Sequence, residues 1–294
     1  MENQPPKRRG RRRHPVRWAL LVLLLALAVE FYASNNLLSL ERIELFSERL
    51  PPAFDGYGVV LLSDLHARSF GEDNRALLEM VRREEPDAIA ITGDIAERLS
   101  ELPDLGAFLT KLCALAPVYY VTGNHEWGAD WTAVRKGEQR FTPALFSLMD
   151  QAGVVRLDGR AEALRRGDEE IWLAGLCDPN GPKDSRNLRE VLSGPRAGGA
   201  DPFVILLSHR HELFDAYVQA EADVTLTGHA HGGVVRLPFT DGLIGPGRKW
   251  FPRYTSGLYR QGRSAVVVSR GLGPTDMPRL FNRPHVVALT LRAG

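Results

Sequence analysis

The sequence predicts an α/β domain that follows a single N-terminal membrane helix, and three observations support this prediction. From residue 58 onward, apolar runs such as AIAIT and VILLS alternate with segments of helical period. Near the N-terminus, an apolar run from Trp18 to Val29 follows a strongly basic stretch. The composition, 44% hydrophobic and 25% charged over 294 residues, is that of a globular protein with one substantial core.

The N-terminal stretch is strongly basic. Seven basic residues crowd the first 17 positions: Lys7, Arg8, Arg9, Arg11, Arg12, Arg13 and Arg17. Because the formal net charge is only +1, the rest of the chain is mildly acidic, and nucleic acid is not expected as a partner. The two cysteines lie far apart and exclude a disulfide framework.

The apolar run is short for a spanning helix, which needs roughly 20 residues, but its extension through Glu30 to Ala33 gives a plausible length. Basic residues before it place the N-terminus in the cytoplasm and the main domain outside. No A-x-A site follows, which favours an uncleaved signal anchor over a cleaved or twin-arginine export signal. The predicted organisation is a basic cytoplasmic tail over residues 1–17, a transmembrane signal anchor over 18–38, a linker over 39–56 and the main domain over 57–294.

In chain order, the strands are expected in GYGVVLLS, DAIAITGD, PVYYVTGN, IWLAGLCD, FVILLSHR and DVTLTGHA. Helices are expected in NRALLEMVRREE, LGAFLTKLCALA and ALFSLMDQAG. Continuous apolar strands separated by helices are typical of β-α-β crossovers in a sheet that is buried on both faces. The later strands VVRLP, GLYRQ, SAVVVS and HVVALTL lie closer together, which indicates an antiparallel portion.

Unusual polar residues follow five of these strands. They are Asp64 and His66, Asp94, Asn124 and His125, His209, and finally His229 and His231. Open α/β sheets place their sites at the carboxyl ends of strands, so these side chains are expected to converge. The glycines of TGD, TGN and TGH are expected to let the backbone turn tightly at these points.

Oxygen and imidazole groups without thiolates suit Mn, Fe or Zn. The set is too large for one ion. Two divalent ions roughly 3.5–4 Å apart, sharing a carboxylate and a bridging hydroxide, would use all of it. Such a pair clamps a phosphoryl group and lowers the pKa of the water between the ions, so the pattern predicts phosphoester hydrolysis.

Five motifs in this order resemble the calcineurin-like metallophosphoesterases: DLH (64–66), GD (93–94), GNHE (123–126), SH (208–209) and GHAH (228–231). The resemblance covers roughly residues 57–292. LLSDLH, VYYVTGNHE and VVVSRGLG look most like the membrane-associated bacterial branch that includes the YkuE and YaeI proteins. It implies an αββα sandwich, in which two mixed sheets are flanked by helices, and makes residues 57–294 the catalytic domain.

The resemblance also implies roles for individual residues. The first metal would be held by Asp64, His66 and His231, the second by Asn124, His209 and His229, and Asp94 would bridge the two. His125 would protonate the leaving alcohol or steady the scissile phosphate, with a hydrogen bond to a ligand as the alternative. In SHRHE, His209 is preferred to His211 because it lies directly at the strand end.

Other features leave alternatives open. Arg68 is either a phosphate clamp or an ordinary solvated arginine. Val234 stands where the branch commonly has glutamine, which removes any glutamine contact with substrate. His14 and His285 are expected to be structural. The segment LPFTDGLIGPGRKWFPRYTSG is a substrate rim, a patch that touches lipid headgroups, or a packed surface loop.

The sequence therefore predicts a membrane-anchored dimetal phosphoesterase for phosphodiester or pyrophosphate-linked substrates, with a lipid-linked substrate as one option. The alternatives are a phosphomonoesterase on the same site, a UDP-diacylglucosamine-type lipid pyrophosphatase and a non-catalytic metal-binding envelope protein. A metallo-β-lactamase-type hydrolase would need H-x-H-x-D-H, which the sequence lacks. Oligomeric state is left open.

Overall fold

The computed structural model describes residues 15–137, 140–185 and 187–294. Most of the predicted basic tail, and His14, lie outside the described residues. The helices are α1 (Pro15–Asn36), α2 (Arg75–Arg83), α3 (Leu102–Cys113), α4 (Asn124–Lys136), α5 (Phe141–Ala152), α6 (Leu188–Ser193) and α7 (Phe214–Gln219). The first nine strands are β1 (Ser39–Ser47), β2 (Gly58–Leu62), β3 (Ala88–Thr92), β4 (Val118–Val121), β5 (Val155–Arg156), β6 (Arg160–Arg166), β7 (Glu169–Leu176), β8 (Val204–Arg210) and β9 (Val224–Gly228). The last five are β10 (Ile244–Gly245), β11 (Lys249–Trp250), β12 (Gly257–Gln261), β13 (Ser264–Val268) and β14 (His285–Ala293).

Two six-stranded sheets form the centre of the protein. The first has the order β1-β14-β2-β3-β4-β5 and the second the order β12-β13-β9-β8-β7-β6, while β10 and β11 form a separate two-stranded hairpin. In the first sheet β2, β3, β4 and β5 are parallel and β14 is antiparallel to β2. In the second, β7, β8, β9 and β13 are parallel, and the edge strands β6 and β12 are antiparallel to their neighbours. Both sheets are therefore mixed, as expected.

Alternation along the strands divides the core into layers. On β2, Val59 and Leu61 pack between the sheets with residues such as Ile205. Val60 and Leu62 face the other way, onto α2, α3 and α5. The outer face of the second sheet packs on α6 and α7. Each fully buried aliphatic side chain contributes about 1.5–3 kcal/mol, so both faces of each sheet are stabilised by burial. The predicted αββα sandwich is confirmed.

The segment predicted as a linker, residues 39–56, instead begins with an edge strand. β1 pairs in parallel with β14 along its whole length, from Ser39 opposite His285 to Ser47 opposite Ala293. Ile43 and Leu45 are buried. The linker prediction was wrong because SLERIELFS carries charges, as linkers do. In the structure these charges lie on the outer face of an edge strand. His285 is structural, since its buried ring lies 2.9 Å from Glu41 of β1.

The predicted strand VVRLP was also wrong. Residues 234–238 form only two isolated bridges, between Val235 and Leu280 and between Arg236 and Gly242. Val234 has a φ of 30°, a value that strand geometry does not permit. The helices α4, α6 and α7 were not predicted, because their sequences are short or polar and lack a clear apolar stripe.

Helix α1 is, among the described residues, the one helix long and apolar enough to cross a membrane, with 22 residues and a mean hydropathy of 2.0. Its last turn is fixed to the rest of the protein. The Asn35 amide donates to the carbonyl of Arg279 at 2.8 Å and accepts its backbone N–H at 3.0 Å. The Ser34 hydroxyl accepts the N–H of Asn282 at 3.1 Å. The helix is therefore docked on the loop before β14.

We expect Asn35→Ala to lower the free energy of unfolding of the full chain by about 1–3 kcal/mol, because it leaves the amide and carbonyl of the buried Arg279 unpaired. Asn36→Ala is the matched control. The Asn36 side chain bonds only Tyr32 of the same helix among the described residues, at 2.9 Å, so its change should stay within about 0.5 kcal/mol. Denaturant unfolding of both variants in detergent measures the difference, and equal effects would contradict this docking.

Candidate metal centre

The predicted site residues lie at or just after the ends of five strands, which meet at one end of the sandwich. Asp64 follows β2, Asp94 follows β3 and Asn124 begins α4 just after β4, so three neighbouring strands of the first sheet contribute. His209 lies in β8, and His229 follows the adjacent β9 of the second sheet. The carboxyl ends of both sheets thus face a common cleft, as open α/β sheets do.

A first group contains Asp64, His66 and His231, whose ligand atoms all lie within 4.8 Å of one another. The His231 Nε2 atom is 3.5 Å from Asp64 Oδ1. The rings of His66 and His231 are stacked, with 5.5 Å between their centroids. The structure thus brings together the three residues predicted for the first metal.

A second group contains Asp94, His209 and His229, again with all ligand atoms within 4.8 Å. The His209 Nε2 atom is 3.1 Å from Asp94 Oδ2 and 3.1 Å from His229 Nδ1. Asn124 Oδ1 lies 3.2 Å from the same nitrogen. Asp94 also points toward His125, whose Nε2 is 4.0 Å from its Oδ2. The structure thus also brings together the residues predicted for the second metal, with Asp94 beside them.

The hydrogen-bonding capacity of the second group fits a cation. His209 Nδ1 lies 2.7 Å from the carbonyl of Thr92, so Nδ1 carries a proton and, in the neutral ring, Nε2 carries a lone pair. That lone pair faces acceptor oxygens of Asp94 and Asn124. Although His209 is near it, the buried Oδ2 of Asp94 receives no well-oriented hydrogen bond from any described residue. Once the Nε2 proton of His209 is displaced, its lone pair and these oxygens converge as the ligands of a divalent ion do.

The electrostatics agree with this fit. Burial opposes protonation of His209, but the Asp94 carboxylate raises the pKa of this ring to about 10. Burial lowers the pKa of His231 to about 4, and burial together with the charge of His209 lowers that of His229 well below its ordinary value. Burial also opposes ionisation of Asp94, yet nearby histidines hold its pKa far below the usual range. The centre therefore holds the ionised carboxylate of Asp94 next to the proton on His209. A divalent ion would replace that proton.

Backbone strain is present at these residues, which account for five of the sixteen described non-glycine residues with positive φ. Five predicted ligands adopt positive φ values: Asp64 (51°), His66 (47°), Asp94 (52°), His229 (62°) and His231 (46°). Each such residue costs on the order of 1–3 kcal/mol and persists only where the surroundings enforce it. Strain of this kind clusters at functional sites, and here it coincides with the residues of both groups.

The predicted reason for the glycines holds at only one of three positions. Gly93 has a φ of 85°, so TGD does turn through the left-handed region. Gly123 and Gly228 do not, and they are instead required for close approach. A Cβ at Gly123 would lie 2.2 Å from Asp94 Oδ1, and one at Gly228 would lie 1.8 Å from Ser63 Oγ. Gly123 therefore lets the loops after β3 and β4 come together, and Gly228 lets the second sheet approach the end of β2 in the first.

Glu97 is a further residue of the centre, and its role is not evident from the sequence. Its Oε1 lies 2.8 Å from Nδ1 of both His66 and His125. The hydrogen bond to Glu97 raises the pKa of His125 to about 9, although burial opposes it, and the same bonds lower the pKa of Glu97. The signal was its position three residues after Asp94 in GDIAER, but only the fold shows which histidines it reaches.

Glu126, the last residue of GNHE, holds two of the loops together. Its buried carboxylate accepts backbone N–H groups of Asp94 (3.1 Å), Ile95 (2.7 Å) and Gly123 (2.8 Å). Burial and the charge of Asp94 raise the pKa of Glu126 to about 7. The strained conformation after β3 is therefore supported by a side chain from α4.

The structure contradicts the predicted phosphate clamp at Arg68. This guanidinium donates to the carbonyl of Asn35 at the end of α1 and lies over the ring of Phe70, 4.9 Å from its centroid. A helix end leaves carbonyl groups unpaired, and here one of them binds the arginine. His211 likewise stays outside the two groups, with its ring 6.0 Å from that of His229, whereas His209 is inside.

The cleft continues on both sides of His125. One cavity of about 420 Å³ is lined by some residues of each group and by Arg98, Val234 and the segment 244–248. A second cavity of about 820 Å³ shares Glu97, Arg98, Asn124 and His125 with the first. Arg98 and Arg248 supply exposed positive charge at the cleft. Arg210, held by Asp178, also reaches the centre, because its guanidinium lies 2.9 Å from His229 Nε2.

Comparison with known proteins agrees with this geometry. Residues 57–233 match the family model of the calcineurin-like phosphoesterases. The chain is 30% identical over 262 residues to the uncharacterized metallophosphoesterase YkuE of Bacillus subtilis (strain 168), covering 84% of this chain and 83% of that protein. It is 27% identical over 259 residues to the phosphodiesterase YaeI of Escherichia coli (strain K12), covering 85% and 86%.

A third relative is longer than this chain. The chain is 30% identical over 272 residues to a transmembrane protein with metallophosphoesterase domain of Bos taurus, which covers 86% of this chain and 56% of the bovine protein. With the fold, the converging ligands and the matched residues all in agreement, the chain belongs to the calcineurin-like phosphoesterase family and is a metal-dependent hydrolase of phosphoester bonds.

Proposed function

We propose that this chain is a membrane-anchored dimetal phosphoesterase that hydrolyses phosphodiester or pyrophosphate-linked substrates. Its N-terminal tail lies in the cytoplasm, residues 18–38 contain the signal anchor, and the catalytic domain lies outside. Its family and two groups of ligands support the chemistry. The membrane anchor is supported by α1, by the basic residues before it, and by relatives that are named as transmembrane proteins.

Each residue of the centre has a role in this proposal. Asp64, His66 and His231 would hold one divalent ion, Asn124, His209 and His229 would hold the other, and Asp94 would serve as their shared carboxylate. When bound, the two ions polarise the phosphoryl group and lower the pKa of the attacking water. Mn, Fe and Zn all suit these ligands. The backbone bonds of Glu126 keep the Asp94 loop in its strained conformation.

His125 acts on the substrate from the side of the cleft. Glu97 holds its Nδ1 atom, so its Nε2 atom faces the centre beside Asp94. In this position a protonated ring donates its Nε2 proton to the leaving oxygen as the phosphorus–oxygen bond breaks, or it steadies a phosphoryl oxygen. The main chain of His125 contributes separately, since its N–H donates to Asp94 Oδ1 at 2.8 Å.

The substrate class is inferred from the cleft, which extends on both sides of His125. A monoester has one organic substituent and needs room on one side of the phosphorus, whereas a diester or pyrophosphate-linked substrate needs room on both. The two cavities of about 420 and 820 Å³ share the His125 wall and supply this room. Arg98 and Arg248 would pair with the additional negative charge of a pyrophosphate.

The docking of α1 supports an anchor that stays attached. Ser34 and Asn35 bond to Asn282 and Arg279, and removal of the helix would leave these partners without them. The longest aliphatic side chains of α1, in contrast, are exposed along most of its length, as in a helix that is surrounded by lipid.

The full chain in detergent, stripped of metal and reloaded with Mn²⁺, tests the proposal. Bis-(p-nitrophenyl) phosphate is expected to be hydrolysed faster than p-nitrophenyl phosphate, and both activities should disappear without metal. Turnover of the monoester alone would support the dimetal centre but contradict the proposed substrate class, and would make the protein a phosphomonoesterase. Binding of two metals per chain without turnover of either ester would favour a non-catalytic metal-binding protein.

A further inference from the structure

Two turns near the cleft expose large apolar side chains, which we call the apolar tips. The first turn carries Leu237 and Phe239, and the second, at hairpin β10–β11, carries Trp250 and Phe251. Phe239 is 107% exposed, Phe251 73% and Trp250 68%. The rings of Trp250 and Phe251 contact each other, with 6.2 Å between centroids. Grouped exposure of this kind marks an interaction surface.

The charges around the apolar tips indicate what the surface contacts. Arg248, Lys249 and Arg253 are exposed beside the aromatic residues, while Asp241 is the one acidic residue between positions 237 and 253. Exposed tryptophan and phenylalanine flanked by basic residues suit the headgroup region of a membrane with anionic lipids. Phenylalanine and tryptophan contribute apolar burial there, and the cations contribute attraction.

A continuous series of hydrogen bonds fixes the apolar tips to the end of α1. Asn35 binds Arg279 and Ser34 binds Asn282. The Asn282 amide donates to the carbonyl of Val234 at 2.9 Å, and Leu280 forms a bridge with Val235. From there, the N–H of Leu243 donates to the carbonyl of Val235 at 2.7 Å, and the N–H of Phe251 donates to the carbonyl of Leu243 at 2.9 Å. The tips are therefore held beside the helix end that faces the catalytic domain.

The same segment also forms a wall of the cleft. Residues 244–248, which form β10 and the turn after it, line the cavity that contains His66 and His231. The side chains of Trp250 and Phe251 are outside that wall. A contact between the apolar tips and a membrane would therefore place the mouth of the metal centre at the lipid surface.

We propose that the apolar tips rest in the headgroup region of the membrane that α1 spans, as a second contact beside the anchor. The proposal rests on the membrane insertion of α1, which is part of the proposed function, but it does not rest on the reaction. It identifies anionic lipid as the partner and phosphate esters carried by lipids as the substrates with direct access to the cleft.

The test uses the full chain in vesicles of equal parts phosphatidylcholine and phosphatidylglycerol, with a brominated phosphatidylcholine as quencher. An environment-sensitive fluorophore is attached at Phe239→Cys or at Trp250→Cys, in a Cys113→Ser background. Cys177 is buried and is not expected to be labelled. The matched control is Asp168→Cys, which is exposed in the turn between β6 and β7, at the end of the second sheet away from the metal centre.

Flotation first shows whether α1 holds the chain on the vesicles. In chains that float, the labels at 239 and 250 are expected to shift to the blue and to be quenched by bromolipid, while the label at 168 is not. Floating chains whose tip labels stay unquenched would overturn the proposal and leave the anchor intact. Chains that do not float would overturn the anchor and this proposal together, whereas metal-dependent hydrolysis would be unaffected.

Two comparisons identify the partner. Vesicles of phosphatidylcholine alone are expected to give weaker quenching, because Lys249 and Arg253 lose the opposing charge. Quenching that does not depend on lipid charge would contradict anionic lipid as the partner. A blue shift that grows with the protein-to-lipid ratio and occurs without quenching would show that a second copy of the chain covers the tips, which also overturns the proposal.

Discussion

Asp94→Asn is expected to remove at least one metal per chain and to lower phosphodiesterase activity by roughly 10³-fold or more, equivalent to about 4 kcal/mol of transition-state stabilisation. The substitution keeps the size of the side chain and an oxygen that can accept the N–H of His125 at the position of Oδ1. It removes the negative charge next to His209 and places an amide N–H group where lone pairs converge. Metal analysis and turnover of bis-(p-nitrophenyl) phosphate measure the two effects.

Asp158→Asn is the matched control for the loss of a buried carboxylate. Asp158 accepts the N–H and hydroxyl of Thr122 at the end of β4, and burial raises its pKa to about 6. It belongs to neither ligand group. The control should therefore keep two metals and most of the activity. If Asp94→Asn also kept both metals, the role of Asp94 as a shared ligand would be contradicted.

The sequence located the centre because its residues are set by local rules. Each predicted ligand follows or ends a short apolar strand, and parallel strands that are neighbours in a sheet bring their carboxyl ends together. Two of these strands, β8 and β9, belong to the second sheet, and the sequence did not show how the sheets face each other. The resemblance to a known family supplied that arrangement, and the structure confirms the sandwich.

The remaining features depend on tertiary contacts that no short pattern records. The strand β1 lies 238 residues or more from its partner β14, and its charged outer face resembles that of a linker. Glu97 contacts two histidines, and Arg68 donates a hydrogen bond to the end of α1. Both contacts form only when the loops are in place. The predicted strand VVRLP does not form because Val234 has a positive φ. A valine in the sequence gives no indication of that backbone conformation.

His125→Ala is expected to lower kcat for the diester by about 10²- to 10⁴-fold, while the metal content stays at two per chain. The metals are retained because the main chain of His125, not its ring, bonds to Asp94. Glu97→Gln is the companion variant. Since Glu97 holds the rings of both His66 and His125, it should lower kcat about 10- to 100-fold and also weaken metal binding.

The leaving group distinguishes the two roles that remain open for His125. A proton donor is needed most when the departing alcohol is a poor leaving group, so a donor role predicts a larger loss on an alkyl diester than on the p-nitrophenyl diester. If the ring instead steadies a phosphoryl oxygen, both diesters should lose the same factor, because that contact does not depend on the alcohol. Equal losses would therefore assign His125 to binding the phosphoryl group, and Glu97 to orienting it for that purpose.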